Sequence, residues 1–291
     1  MKKISVFANL FIDNQERLDT LKLSFNSFKK ANIENWVINI RGQKKIDTKD
    51  FLNKNIKKSK IKIFFYEDKK GWFYDSLKIS KFLSSQYVFF WVEDHICIGG
   101  YKYFNNVIDS LFNYKIDYLP YSWFFFGNNI KSFDTQNLYG NKYILYKDYN
   151  KIDHIKRLQY ANKKKLKYDP YIISACSIIK KNIFIKLLSK KDRFFYKWNN
   201  FLPFNFEKDQ ADMHWLPYKI GILKKELFAP LDDDLGVKGY SLISRKFLKL
   251  NSIQVKNTKI IKKKIKKNSI LKLKFLVKKL INRLYVLFFF N

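Results

Sequence analysis

The chain has 291 residues, 47% of them hydrophobic and 19% aromatic, so it can build one large domain or one domain with an appendage, around a sizeable core. Its formal charge of +33 favours phosphate-bearing partners of any kind. No uninterrupted apolar run reaches the roughly eighteen residues of a spanning helix, and the two cysteines, Cys97 and Cys176, form neither a metal nor a disulfide pattern, which fits a reducing, cytoplasmic setting.

Lys2-Lys3 before an apolar stretch resembles a short signal peptide, but Asp13 and Glu16 interrupt it and no small-residue cleavage site follows. Ile4 to Leu10 therefore reads as a first strand. Caps at Asp13-Asn14-Gln15 open a helix with Leu18, Leu21, Phe25 and Phe28 at helical spacing. Trp36 to Ile40 reads as a second strand ending at Arg41-Gly42, and a helix-compatible stretch runs from Asp47 to Lys58. Ile61 to Tyr66 is a third strand ending at Glu67-Asp68. After Gly71, Ser76 to Leu83 reads as a helix, and Tyr87 to Val92 is the fourth strand, ending at Glu93-Asp94-His95. This alternation predicts an α/β domain with a mostly parallel sheet flanked by helices. In such sheets ligands collect beyond the strand C-termini, and those ends carry Asn9, Arg41, Asp68, Glu93 and Asp94.

Further on, Asn105 to Phe112 reads as helix, Lys131 to Lys167 as a polar loop or small helical insertion, Ile172 to Ile179 as strand, Ile183 to Leu188 as the start of a helix, and Ile220 to Leu223 as strand. The expected division is a main α/β domain over 1–240 and a basic tail over 241–291. The tail contains no Asp or Glu. In it Leu273, Leu276, Val277, Leu280, Ile281 and Leu284 share one helical face, with Lys272, Lys278, Lys279, Asn282 and Arg283 mostly on the other. A basic amphipathic helix of this kind lies in the interface of an anionic membrane; a helix packed on its own domain has the same pattern.

Four constellations carry chemistry. Glu93-Asp94-His95 ends a buried strand with oxygen and nitrogen donors suited to a divalent cation; capping the next helix is the alternative. Asp68, with Gly71 and Asp75, is placed to accept from a nucleobase or ribose hydroxyl, or forms a plain turn. In Glu207-Lys208-Asp209-Gln210-Ala211-Asp212, Asp209 and Asp212 share a helix face and offer a general base, or simply an acidic helix start. Asp232-Asp233-Asp234, with Gly236 and Gly239, is an acidic loop whose charges repel unless a cation or lysines neutralise them; it reads as a metal or substrate contact, or as a solvent-exposed turn. His154 and His214 read as structural.

Taken in order, these pieces resemble a GT-A glycosyltransferase. The carriers are Ile4-Ser5-Val6-Phe7-Ala8-Asn9 with Gln15-Glu16-Arg17-Leu18, Glu67-Asp68-Lys69-Lys70-Gly71, and Phe90-Trp91-Val92-Glu93-Asp94-His95 at the position of the D-x-D motif. Ser174 to Phe184, Phe206-Glu207-Lys208-Asp209-Gln210 and Tyr218-Lys219-Ile220-Gly221 complete the series. The pattern spans residues 4–235. It departs from strict D-x-D, since Glu93 and Asp94 are adjacent and His95 takes the second position, and Lys208 splits the E-D segment.

The resemblance implies an inverting, hexosyltransferase-type enzyme. It would move a sugar from a nucleotide-sugar donor to a hydroxyl of a glycan or lipid-linked glycan, in bacterial surface polysaccharide or lipopolysaccharide synthesis. Asn9, Asp68, Glu93 and Asp94 would bind donor; Glu93, Asp94 and His95 would hold Mg²⁺ or Mn²⁺; Asp209, or Glu207 or Asp212 in its place, would be the base. The tail would place the enzyme on the inner face of the cytoplasmic membrane. The charge also fits a nucleic-acid-binding protein, but the aromatics fall mostly inside predicted strands and helices and no zinc finger, RNA-recognition signature or Walker loop is present, so no specific nucleic acid is expected. A non-catalytic membrane-surface scaffold is the remaining alternative.

Overall fold

The computed structural model describes residues 2–67, 69, 71–122, 138–148, 176–189, 219–232 and 241–247. The strands are β1 (Ile4–Phe11), β2 (Ile33–Arg41), β3 (Ile61–Phe64), β4 (Tyr87–Phe90), β5 (His95–Cys97), β6 (Tyr118–Pro120), β7 (Tyr139–Gly140), β8 (Ile144–Asp148), β9 (Ser177–Lys180), β10 (Lys219–Leu223) and β11 (Phe228–Pro230). The helices are α1 (Gln15–Phe28), α2 (Lys45–Asn55), α3 (Trp72–Ser80), α4 (Tyr101–Tyr114) and α5 (Lys181–Ser189).

Nine strands form one sheet in the order β3-β2-β1-β4-β9-β6-β10-β8-β7, and β11 pairs with β5 in a second, two-stranded sheet. β1 runs parallel to both β2 and β4, and β6 parallel to β10. β9 is antiparallel to both its neighbours, β4 and β6, and β8 is antiparallel to β10 and β7. The architecture is thus α/β with a large, mostly parallel mixed sheet, as the alternation of elements predicts.

The strands read as continuous apolar runs because both sheet faces are covered. Alternate residues enter opposite cores: Ile4, Val6, Ala8, Leu10, Tyr87 and Phe89 on one side, Phe7, Val88 and Phe90 on the other. The first side receives Leu18, Leu21, Phe25 and Phe28 of α1 and Phe104, Val107, Ile108 and Leu111 of α4. The second receives Trp72, Phe73 and Ile79 of α3 and Ile183, Phe184, Leu187 and Leu188 of α5. Phe28 meets Trp36, Phe89, Trp91, Phe104 and Phe228 at ring-centroid distances between 5.3 and 6.4 Å. Core packing of this kind accounts for much of the aromatic content.

Helix boundaries follow from local chemistry. Asn14 caps α1 by accepting from the Arg17 amide at 2.9 Å. α3 begins at Trp72, earlier than the apolar spacing suggests, because Gly71 turns the chain at φ 100°. α4 ends where Lys115 adopts the left-handed conformation.

Candidate functional site

The sheet's chain order reverses between β1 and β4. From β1 the chain moves outward to β2 and β3, then returns across β1 to β4. A crevice opens outside the C-terminal ends of two such strands. The residues there are Asn9 and Phe11 from β1, and Glu93 and Asp94 just beyond β4, with Arg41 beside Phe11 in the ladder.

Asn9 organises this rim. Its Oδ1 accepts from Asn39 Nδ2 at 3.0 Å and Arg41 Nε at 3.2 Å, and its Nδ2 donates to Ser76 Oγ at 3.0 Å. Asn39 in turn brackets Tyr66, donating to its carbonyl and accepting from its amide. The Arg41 guanidinium lies 5.6 Å from the centroid of the Phe11 ring, which is exposed. Just past Arg41, Gly42 lets the chain pass close to the Ile12 backbone: a Cβ there would stand 2.3 Å from the Ile12 carbonyl oxygen, and its φ is +94°.

Arg17 joins the rim to the strand-end acids. It donates to the Phe11 carbonyl at 2.8 Å, lies 3.5 Å from Glu93 Oε1, and stands at ion-pair distance, 3.6 Å, from Asp13. Arg17 was legible only as part of a helix start, because its role depends on Glu93, far along the chain.

Behind the acids runs a buried relay. His95 Nδ1 meets Asp94 Oδ1 at 2.6 Å, and His95 Nε2 meets Cys176 Sγ at 3.3 Å. α1 holds this segment from below: Ser24 Oγ donates to the His95 carbonyl at 2.5 Å and accepts from Trp91 Nε1, and Ser27 Oγ accepts from the Cys97 amide. Cys97 and Cys176 are both buried and free of disulfide bonding. Neither serine nor cysteine carried a sequence signal for this position, since their partners are about seventy or more residues away.

Electrostatics separate the two acids. The Glu93 side chain is 19% exposed; its burial and the adjacent Asp94 carboxylate push its pKa up. Asp94, 53% exposed, is held below the usual range: burial opposes ionisation, but the charge and hydrogen bond of His95 outweigh it. His95 is raised well above its ordinary value, because Cys176 and Asp94 together overcome a burial that opposes its charged form. At neutral pH the strand end therefore presents an ionised Asp94 beside a more easily protonated Glu93.

A hard divalent cation takes oxygen ligands and, as Mg²⁺, commonly keeps only one or two carboxylates beside water and phosphate oxygens. The Glu93 and Asp94 carboxylates fit that demand. His95 does not, because it is buried and both ring nitrogens are engaged inside the protein. Among the described residues, no group of three or more His, Cys, Asp or Glu side chains is arranged to hold a metal ion.

Asp232 comes near the same strand end: the preceding Leu231 donates its amide to the Asp94 carbonyl at 2.8 Å, continuing the β11–β5 pairing. Asp75, grouped by sequence with Gly71, is buried in the first turn of α3. Asp68, Glu207, Asp209, Asp212, Asp233, Asp234, His154 and His214 lie outside the described residues, as does most of the basic tail. Among the described residues no helix is long and apolar enough to cross a membrane.

No family model matches the chain, and no curated protein matches it. Among solved structures it is similar to S. aureus TarS residues 1–349, with a TM-score of 0.44 and 11% identity over 78% of this chain and 60% of that one. It is also similar to a second S. aureus TarS structure, with a TM-score of 0.44 and 10% identity over 78% of this chain and 36% of that one. The chain thus spans less than two thirds of either neighbour's length. At that TM-score neither likeness decides a fold or an activity.

Proposed function

We propose that this chain is a glycosyltransferase, moving a sugar from a nucleotide-sugar donor to a hydroxyl of a glycan or lipid-linked acceptor in surface-glycan synthesis. The observation that carries the reading is the meeting of Arg17 with Glu93, next to Asp94, beyond the C-terminal ends of β1 and β4, with Arg41 bonded to Asn9 at the end of the adjoining strand. Arg17 lies against Glu93, while Arg41 bonds Asn9 on the neighbouring strand; guanidinium groups suit a diphosphate leaving group, and carboxylates suit the hydroxyls of a sugar.

In this reading Arg17 and Arg41 bind the diphosphate and disperse the charge that develops as the anomeric bond breaks. Phe11 offers a face on which a nucleobase stacks. Asp94, kept ionised by His95, orients the donor, and Glu93 accepts from it once ionised. Mg²⁺ or Mn²⁺, where the transfer uses one, would be held by Glu93 and Asp94 and would supply further neutralisation of the diphosphate. Asp209 is the proposed base that removes the acceptor hydroxyl's proton for in-line attack with inversion, with Glu207 or Asp212 as substitutes. The basic tail brings the enzyme to the inner face of an anionic membrane, where lipid-linked acceptors lie.

The test is a donor screen. UDP-, GDP- and CMP-sugars are titrated calorimetrically with and without Mn²⁺, and hydrolysis to free nucleotide is followed. The reading requires that at least one donor binds and turns over. If no nucleotide sugar binds at all, the chain is a scaffold with the shape of a transferase core.

A further inference from the structure

The turn formed by Ser241 to Phe247 is tied to the acid-bearing strand end more firmly than a chain exit requires. Leu242 donates its amide to the Pro230 carbonyl at 2.9 Å and Ile243 to the Leu231 carbonyl at 3.2 Å, while Leu231 itself bonds the Asp94 carbonyl. Beneath the turn, Arg245 donates to Glu226 from both terminal guanidinium nitrogens, at 2.7 and 3.0 Å, and both side chains are almost fully buried. Such a planar, two-bond pair fixes orientation as well as position.

What this anchorage holds outward is apolar. Ile243 is 52% exposed and Phe247 65% exposed, four residues apart, with the Lys246 side chain exposed between them. Lys246 and Phe247 adopt φ of 54° and 61°, a left-handed backbone that bulky side chains avoid. Strain of this kind persists only where the surroundings impose it, and here the Phe247 amide is drawn back to the Leu242 carbonyl at 2.6 Å. The residues that follow, 248–291, are rich in lysine and contain no Asp or Glu.

We propose that the Ser241–Phe247 turn is a membrane-docking ridge: Ile243 and Phe247 enter the interface of an anionic bilayer, and Arg245 with Glu226 fixes that ridge to the strand pair that carries Asp94. Two apolar side chains flanking a lysine, at the head of an acid-free segment, match an interface that is apolar below and negatively charged above. The ridge gives the protein a contact besides residues 248–291, and one with a set geometry relative to Asp94. The inference stands whether or not the chain transfers a sugar.

The test is co-sedimentation of the full chain with vesicles of phosphatidylglycerol and phosphatidylcholine in equal parts, and with vesicles of phosphatidylcholine alone. The double variant Ile243→Ser/Phe247→Ser leaves the Arg245–Glu226 pair and residues 248–291 intact. Its partition into the anionic vesicles is expected to fall about tenfold, with an unchanged thermal transition because both side chains are exposed. Ile243→Leu/Phe247→Trp is expected to restore wild-type partition. Wild-type partition by the serine double variant would mean that residues 248–291 alone bind, and would overturn the ridge. Absence of wild-type binding to the anionic vesicles, or equal binding to phosphatidylcholine alone, would overturn it as well.

Discussion

The two edges of the large sheet use their polar groups in opposite ways. At the N-terminal edge Asp117, just before β6, pairs with Lys180 and also accepts the Lys219 amide at 2.9 Å. Nearby, Ser5 Oγ bonds Asn35 and accepts the Ser84 and Ser85 amides, and a surface depression lies there against Lys2, Lys3, Glu34 and Phe112. At the C-terminal edge Arg17 stands 3.5 and 3.6 Å from its acidic partners, and Asp94 and Arg17 are about half exposed. Short, saturated contacts staple strands together. Longer contacts made by a half-exposed guanidinium hold a group that a ligand can recruit, because little is lost when such an ion pair is exchanged for a new partner.

This contrast predicts a separation of stability from binding. The largest effect belongs to the proposed base: Asp209→Ala should lower turnover about 10²- to 10⁴-fold while donor affinity stays the same in calorimetry, and full turnover would remove Asp209 from that role. Next, Asp117→Ala should destabilise the fold by about 3–5 kcal/mol, since it leaves Lys180 without its buried carboxylate. Chemical denaturation measures this, and donor affinity corrected for the folded fraction should not change.

Arg17→Ala should do the reverse. Its stability cost should stay within about 1 kcal/mol, while donor affinity falls on the order of tenfold; a variant that unfolds but still binds would break the comparison of the two edges. Glu93→Ala and Asp94→Ala should each lose whatever part of donor affinity depends on Mn²⁺.

The smallest effect is a pH dependence in a stapling group. The Tyr103 hydroxyl bonds the Tyr143 and Lys225 carbonyls, and burial together with Tyr143 raises its pKa to about 12. A raised folded value means that its stabilising contribution is complete below the free tyrosine value of about 10 and is lost as pH rises through about 12. Tyr103→Phe should remove that alkaline step from the denaturation midpoint.

Much of the first half of the fold was legible in the residue order. The β1–α1–β2–α2–β3–α3–β4 alternation follows from apolar spacing, and Glu93-Asp94 at a strand end follows from where the apolar run stops. The apolar stretch from Ile4, read as a strand because Asp13 and Glu16 interrupt it, is β1, buried inside the sheet between β2 and β4. The engagement of His95 was not legible, because it depends on Cys176, which adjoins a strand laid antiparallel between β4 and β6. The partnership of Glu226 with Arg245, and of Ser24 and Ser27 with the β5 strand, was equally silent.

By itself the sequence determined the main helices and strands up to β4 and which faces are apolar, because those depend on periodicities within a few residues. It did not give β7 and β8, which fall in the stretch read as a polar loop or helical insertion and are strands only through their pairing with β10 and each other. Only the tertiary structure decided which charges meet, that the imidazole turns inward, and that the chain leaving the domain is clamped beside Asp94. Such contacts join residues separated by tens of positions, and their formation depends on the path of the whole chain.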